Sequence, residues 1–168
     1  MHLKATVTRR LLRFAMLPLV SAACLAVAPA AYADEPVEGV GTFTISFSAA
    51  PERTADGNTF LEYTFIENSL GIAHGVRVGS GELVIHPDGS FNTANTGVFT
   101  GTIAGRSGTA EMDFRGSGTF AHAAGSYTVT HGTGGLSGVH AEGKDSGSAT
   151  GPTTFAGTNS FKVNFSAP

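Results

Sequence analysis

From residue 42 onward, apolar side chains recur at every second position, the period of a strand with one buried face. Phe43, Ile45 and Phe47 alternate with Thr42, Thr44, Ser46 and Ser48. Leu61, Tyr63 and Phe65 alternate with Glu62 and Thr64, after the turn-prone Ala55-Asp56-Gly57-Asn58. A third strand is predicted from Val76-Arg77-Val78 to Leu83-Val84-Ile85. It stops at His86-Pro87-Asp88-Gly89, where proline presets φ and glycine supplies a positive one. A fourth carries Phe91, Val98, Phe99 and Ile103. The stretch Gly105-Arg106-Ser107-Gly108 turns it into a fifth, in which Ala110, Met112 and Phe114 oppose Glu111, Asp113 and Arg115. Further strands are expected around Tyr127–Val129, His140–Ala149 and Phe155–Phe165, with no long amphipathic helix between them. Seven or eight strands with short connections predict an all-β domain, a barrel or a sandwich.

Glycine changes this picture only in detail. All 23 glycines lie beyond residue 33, a composition that also fits a flexible linker. The period-two pattern continues through the glycine-rich parts, so a strand reading is preferred. Gly79-Ser80-Gly81, Gly116-Ser117-Gly118 and Gly132-Thr133-Gly134 fall within or beside strands, where glycine permits the sharp bends of a small barrel.

The N-terminal pattern is different. Met1–Arg13 is basic, Phe14–Ala28 is apolar, and Ala31-Tyr32-Ala33 is a small-residue cleavage triplet. These are the three regions of a secretory signal peptide, expected to be cleaved after about Ala33. The apolar run is shorter than the ~20 residues of a spanning helix, so no stable membrane insertion is expected after cleavage. The expected organisation is a signal peptide over 1–33, a short acidic segment over 34–38, and a barrel domain over 39–168. The expected localisation is extracellular.

Removing 33 of the 168 residues leaves 135, enough for one domain with its own core. All 13 acidic residues and 6 of the 10 basic ones remain, for a net charge of −7. That balance argues against nucleic acid or an anionic membrane as partner, since both are held by clustered Lys and Arg. The single cysteine, Cys24, lies in the signal region, so the domain relies on packing and hydrogen bonds.

Motifs for chemistry are sparse. Gly116-Ser117-Gly118-Thr119-Phe120-Ala121 fits a G-x-G-x-x-A fingerprint, but no helix pattern follows to meet a phosphate. His74, His86, His122, His131 and His140 lack metal-ligand spacing and are read as exposed turn histidines, although strands flanking one glycine-rich connection could bring His131 and His140 together. No metal or cofactor is expected. Glu111, Asp113 and Arg115 share one strand face, read as solvated because Met112 and Phe114 take the other. Glu62 and Glu67 pose the same inside-or-outside question. Eleven phenylalanines remain after the signal region, with two tyrosines and no tryptophan. Such a wall either fills a barrel or lines a dry cavity within it.

The stretch Gly132-Thr133-Gly134-Gly135-Leu136-Ser137-Gly138-Val139-His140-Ala141-Glu142-Gly143 resembles the allene oxide cyclase barrel superfamily. Members carry a G-[TS]-G-x-[LF]-x-G-[VL]-x-G-like segment late in the chain. Gly105-Arg106-Ser107-Gly108, Gly118-Thr119-Phe120 and the opening Gly41-Thr42-Phe43 are more closely similar to the bacterial DUF3224 branch. The resemblance spans about residues 39–166. It implies an eight-stranded antiparallel, calycin-like barrel with an apolar lumen, and by analogy a homo-oligomer. Relatives cyclise a reactive epoxide, orient radical coupling, or assist cycloaddition, all without a cofactor. The plant cyclases use a glutamate on the first strand. Here that strand reads Phe43-Thr44-Ile45-Ser46-Phe47, so no catalytic residue is carried over.

The leading expectation is a secreted barrel that binds a small hydrophobic molecule in its lumen. Its lining is expected from Phe43, Ile45, Phe47, Leu61, Tyr63, Phe65, Phe99, Met112 and Phe114. Ser46, Thr64 or Tyr127 would orient a polar group. The alternatives are a cofactor-free cyclase or isomerase using the same wall, and a packed structural or interaction protein without a cavity.

Overall fold

The structure is a computed structural model that describes residues 35–50 and 53–166. The expected signal peptide and its cleavage site lie outside the described residues. Nine strands make up the described chain: β1 (Val37–Ala49), β2 (Arg53–Ala55), β3 (Asn58–Gly71), β4 (Ala73–Ile85), β5 (Ser90–Ile103), β6 (Arg106–Thr119), β7 (His122–Gly134), β8 (Val139–Gly151) and β9 (Thr154–Phe165). Sequential neighbours pair antiparallel from β3 to β9, and β1 pairs with both β9 and β3. That double pairing leaves β1 no free edge and closes eight strands into a barrel. The ninth, β2, is a three-residue strand hydrogen-bonded to the start of β3.

Alternation sets the two faces. Along β6, Ala110 and Met112 are buried while Glu111, Asp113 and Arg115 are exposed, as the pattern predicts. The same rule turns Ser46 of β1 and Thr64 of β3 outward, opposite to the role expected of them. Each lies next to an inward aromatic, and the period of two forbids both from facing the lumen. On the outer face Ile66, Val78 and Val98 lie side by side in register across β3, β4 and β5.

Turn chemistry follows the sequence with one shift. Asp56 and Gly57 both have positive φ, as a two-residue I′ hairpin requires. The β5–β6 turn is centred on Ala104 and Gly105 (φ 48° and 81°), so Arg106-Ser107-Gly108 belongs to β6 rather than to the turn. The pairing Ile103 with Arg106 leaves only two residues for the reversal, and Ala104 accepts a left-handed conformation to provide it.

Inward glycines explain how so many rings fit. Gly79 and Gly97 face each other across β4 and β5, and the Phe65 ring lies over them. A Cβ on Gly79 would approach Phe65 Cζ to 2.9 Å, and one on Gly97 to 3.1 Å. Phe99 covers the Gly75–Gly101 pair and Phe114 the Gly116–Gly125 pair in the same manner. Each ring takes the space that two missing side chains leave, which also bends the sheet around it.

The interior divides along its length. One end is packed with Phe99, Ile103, Met112, Val129, Val139, Phe161, Val163 and Phe165. Leu136, from the β7–β8 connection, is fully buried among them and plugs that end. Toward the other end Leu83, Phe91 and Ala123 pack with Leu61, Tyr63, Ile85 and Phe155. Between these groups lies a band of buried polar residues.

Candidate functional site

The polar band begins with a cross-strand pair. Glu67 on β3 and Arg77 on β4 are register partners, so both side chains point inward from adjacent backbone positions. They are 3% and 1% exposed, and Arg77 Nη2 donates to Glu67 Oε2 at 2.6 Å. Ser69 Oγ donates to Glu67 Oε1 at 3.0 Å. The guanidinium lies between two rings, 4.7 Å from the Phe65 centroid and 4.9 Å from that of Tyr127. Cation–π attraction and the ion pair together offset the large desolvation cost of burying this charge.

Tyr127 on β7 ties a second carboxylate to the first. Its hydroxyl lies 3.2 Å from Glu67 Oε2 and 3.4 Å from Asp145 Oδ2 on β8. One phenolic hydrogen faces two acceptors, so it satisfies only one of them fully at a time. Burial, with the negative charge of Glu67 beside it, raises the Tyr127 pKa well above its ordinary value, and the phenol stays neutral. Asp145 is raised to about 6, first by desolvation and then by the charge of Glu67. The band contains two carboxylates and one guanidinium, and the guanidinium is committed to Glu67.

A second network fixes hydrogen directions at the wall. Thr93 Oγ1 donates to the Glu82 carbonyl at 2.9 Å, which uses its only hydrogen. Tyr63 must therefore donate to Thr93 Oγ1 at 2.8 Å and accept from Asn95 Nδ2 at 2.9 Å. This order leaves Asn95 Oδ1 as the acceptor without a donor.

Over this floor is a cavity of about 100 Å³, walled by Phe43, Ile45, Phe47, Phe91, Phe114 and Phe155. Glu67, Arg77, Asn95, Tyr127 and Asp145 also border it, and it reaches the surface beside the exposed Ser117, Phe120 and Ala124. A cavity of roughly 150 Å³ holds benzene, so the scale here is that of one ring or a short aliphatic segment.

Of the residues expected to line the lumen, Phe43, Ile45, Phe47, Tyr63, Phe114 and Tyr127 border this cavity. Leu61 packs behind it, and Phe65 covers Arg77 and the glycine pair. Phe99 and Met112 belong to the plugged end and do not border this cavity. Ser46 and Thr64 are on the outer surface. Sequence reasoning missed Arg77 and Asp145. For Arg77 the local pattern points the wrong way: flanked by Val76 and Val78 it reads as the outward residue, yet both valines are exposed and the arginine is buried. Asp145 lies in a stretch of small polar residues with no such contrast. His131 pairs with Glu111 at 3.3 Å on the surface rather than with His140. Among the described residues, no three metal-binding side chains converge.

Neither a family model nor a curated protein matches the sequence. A solved structure does. The barrel shares its fold with a DUF3224 family protein. That protein, from Shewanella oneidensis MR-1 and of unknown function, superposes with a TM-score of 0.64 at 15% identity. The match covers 79% of this chain and 100% of the other. At that identity the likeness establishes the fold and leaves the chemistry to the site itself.

Proposed function

We propose that the barrel binds a compact, largely apolar molecule in its lumen. The observation that carries this reading is the aromatic cavity above a fixed polar floor. A barrel built only for stability gains most from filling such a space, since unfilled volume costs about 24 cal/mol per Å³. The expectation of a fully packed interior fits the plugged end of the barrel but not this one. The cavity is smaller than the ~300 Å³ of a drug-sized pocket, so the ligand has about one ring inside, with any remainder leaving past Phe120.

The test is a titration of the protein with toluene and with cyclohexane, followed by amide and side-chain NMR shifts. Saturable shifts at Phe43, Phe114 and Tyr127, lost in Ile45→Trp with its melting temperature preserved, support the reading. Shifts that do not saturate, or that survive the blocking substitution, overturn it.

A cofactor-free isomerase or cyclase is the second reading, favoured by one observation. Asp145 borders the cavity with a pKa raised to about 6, in the range suited to a general acid or base near neutral pH. Turnover of a cyclisable substrate that fails in Asp145→Asn while lumen binding persists would favour it over simple binding.

A further inference from the structure

We infer that the lumen selects a molecule with a protonated amine at its inner end, for which Asp145 is the counter-ion. This inference rests on the lumen-binding reading and names the chemical class of its ligand.

Most polar groups around the cavity are already paired or enclosed. Glu67 already receives three donors, from Ser69, Arg77 and Tyr127. Arg77 has two nitrogens without a hydrogen-bond partner, Nε and Nη1. Both belong to a guanidinium enclosed between the Phe65 and Tyr127 rings, and neither is reached by solvent. Arg77 is therefore a closed part of the wall and presents nothing to a ligand. Tyr127 has one hydrogen, and the two carboxylates already compete for it. Asn95 Nδ2 is used on Tyr63, and its Oδ1 is as enclosed as the Arg77 nitrogens. Asp145 shares the single Tyr127 hydrogen with Glu67 and is the ionisable group of the floor left without a charged partner of its own.

Charge gives the same answer. Glu67 and Arg77 neutralise each other at 2.6 Å, so the ionised form of Asp145 leaves the floor with one net negative charge. The groups facing Asp145 are Glu67 from β3, Arg77 from β4, and Tyr127 and the Gly125 backbone N–H from β7; its register partner on β9 is the uncharged Asn159, whose Nδ2 has no partner. None of them offers Asp145 a cation of its own. An ammonium donates to Asp145 and balances the charge. A carboxylate in the same place would bring a second unpaired negative charge into an apolar cavity.

The probes are benzylamine, benzyl alcohol and benzoate, three molecules of one ring and nearly one size. Isothermal titration and NMR shifts at pH 7.5 are expected to show benzylamine at least about tenfold tighter than benzyl alcohol, with benzoate weakest. Moving to pH 5 protonates Asp145 and weakens benzylamine by about tenfold, while benzyl alcohol is unchanged. In Asp145→Asn, whose melting curve reports its folding, the advantage of the amine disappears. In the wild type, the Asp145 side-chain carbon resonance titrates at lower pH with benzylamine bound, a readout that needs no variant. Equal binding of amine and alcohol, tighter benzoate, or an amine advantage that survives Asp145→Asn overturns this inference and leaves lumen binding intact. Binding of none of the three overturns both.

Discussion

At the scale of single residues, Arg77 and Asp145 make opposite contributions to the fold. Arg77 is buried with its counter-ion, so Arg77→Met leaves the Glu67 carboxylate unpaired and is expected to cost about 3–5 kcal/mol. Glu67→Leu combined with Arg77→Met removes both charges, and urea denaturation of the pair should show most of that loss recovered. Asp145 works against stability at neutral pH. Its pKa is about 6 in the folded barrel against 3.8 for the free side chain, so the folded state holds its proton more tightly than the unfolded one. The stabilisation this provides is present below pH 4 and is lost as pH rises through 6. Asp145→Asn should therefore be more stable than wild type at pH 7.5, with the advantage shrinking toward pH 4. Melting curves across that range check the sign. Neither residue was legible locally: the valines flanking Arg77 point to an outward charge, and Asp145 depends on which residues three strands away face it.

The strands themselves were the most legible element, because a period of two needs only local sequence. Their ends and inner packing were less so. Gly105-Arg106-Ser107-Gly108 reads as a turn by composition, yet pairing of Ile103 with Arg106 moves the reversal to Ala104–Gly105. Ala104 has a φ of 48°, where a Cβ is disfavoured by about 1–2 kcal/mol. Ala104→Gly should raise stability by roughly 0.5–1 kcal/mol in chemical denaturation, after the entropy cost of glycine. The glycine pairs give the converse test. Gly79→Val drives a Cβ into the Thr96 carbonyl and the Gly97 Cα of β5 as well as toward the Phe65 ring, and should destabilise by at least about 1–3 kcal/mol, with little recovery in Gly79→Val/Phe65→Leu because the backbone clash remains.

For the molecule as a whole, closure is the property that no segment contains. β1 meets β9 through pairs as distant as Val37 and Val163, and meets β3 on its other side. The barrel is dominated by such non-local pairing, and folding is expected on the millisecond-to-second scale by stopped-flow tyrosine fluorescence. A ligand held as proposed acts on the same global equilibrium. At one hundred times its Kd it adds about 2.7 kcal/mol to unfolding, visible as a concentration-dependent rise in Tm that Ile45→Trp removes.

The sequence by itself determined the all-β class, the two faces of the β1, β3 and β6 strands, and an interior rich in aromatic side chains. These follow from periodicity, which is a property of neighbours along the chain. Only the tertiary structure decided that β1 closes the sheet, that glycines stand under phenylalanine rings, and that Phe99 and Met112 fill one end while Phe43 and Phe114 wall a cavity at the other. It also brought Glu67, Arg77, Tyr127 and Asp145 together from four strands. Strand alternation tells a side chain which face it takes, but its depth in the barrel and its partners across it are set by register and strand tilt, and those are fixed only when the sheet closes.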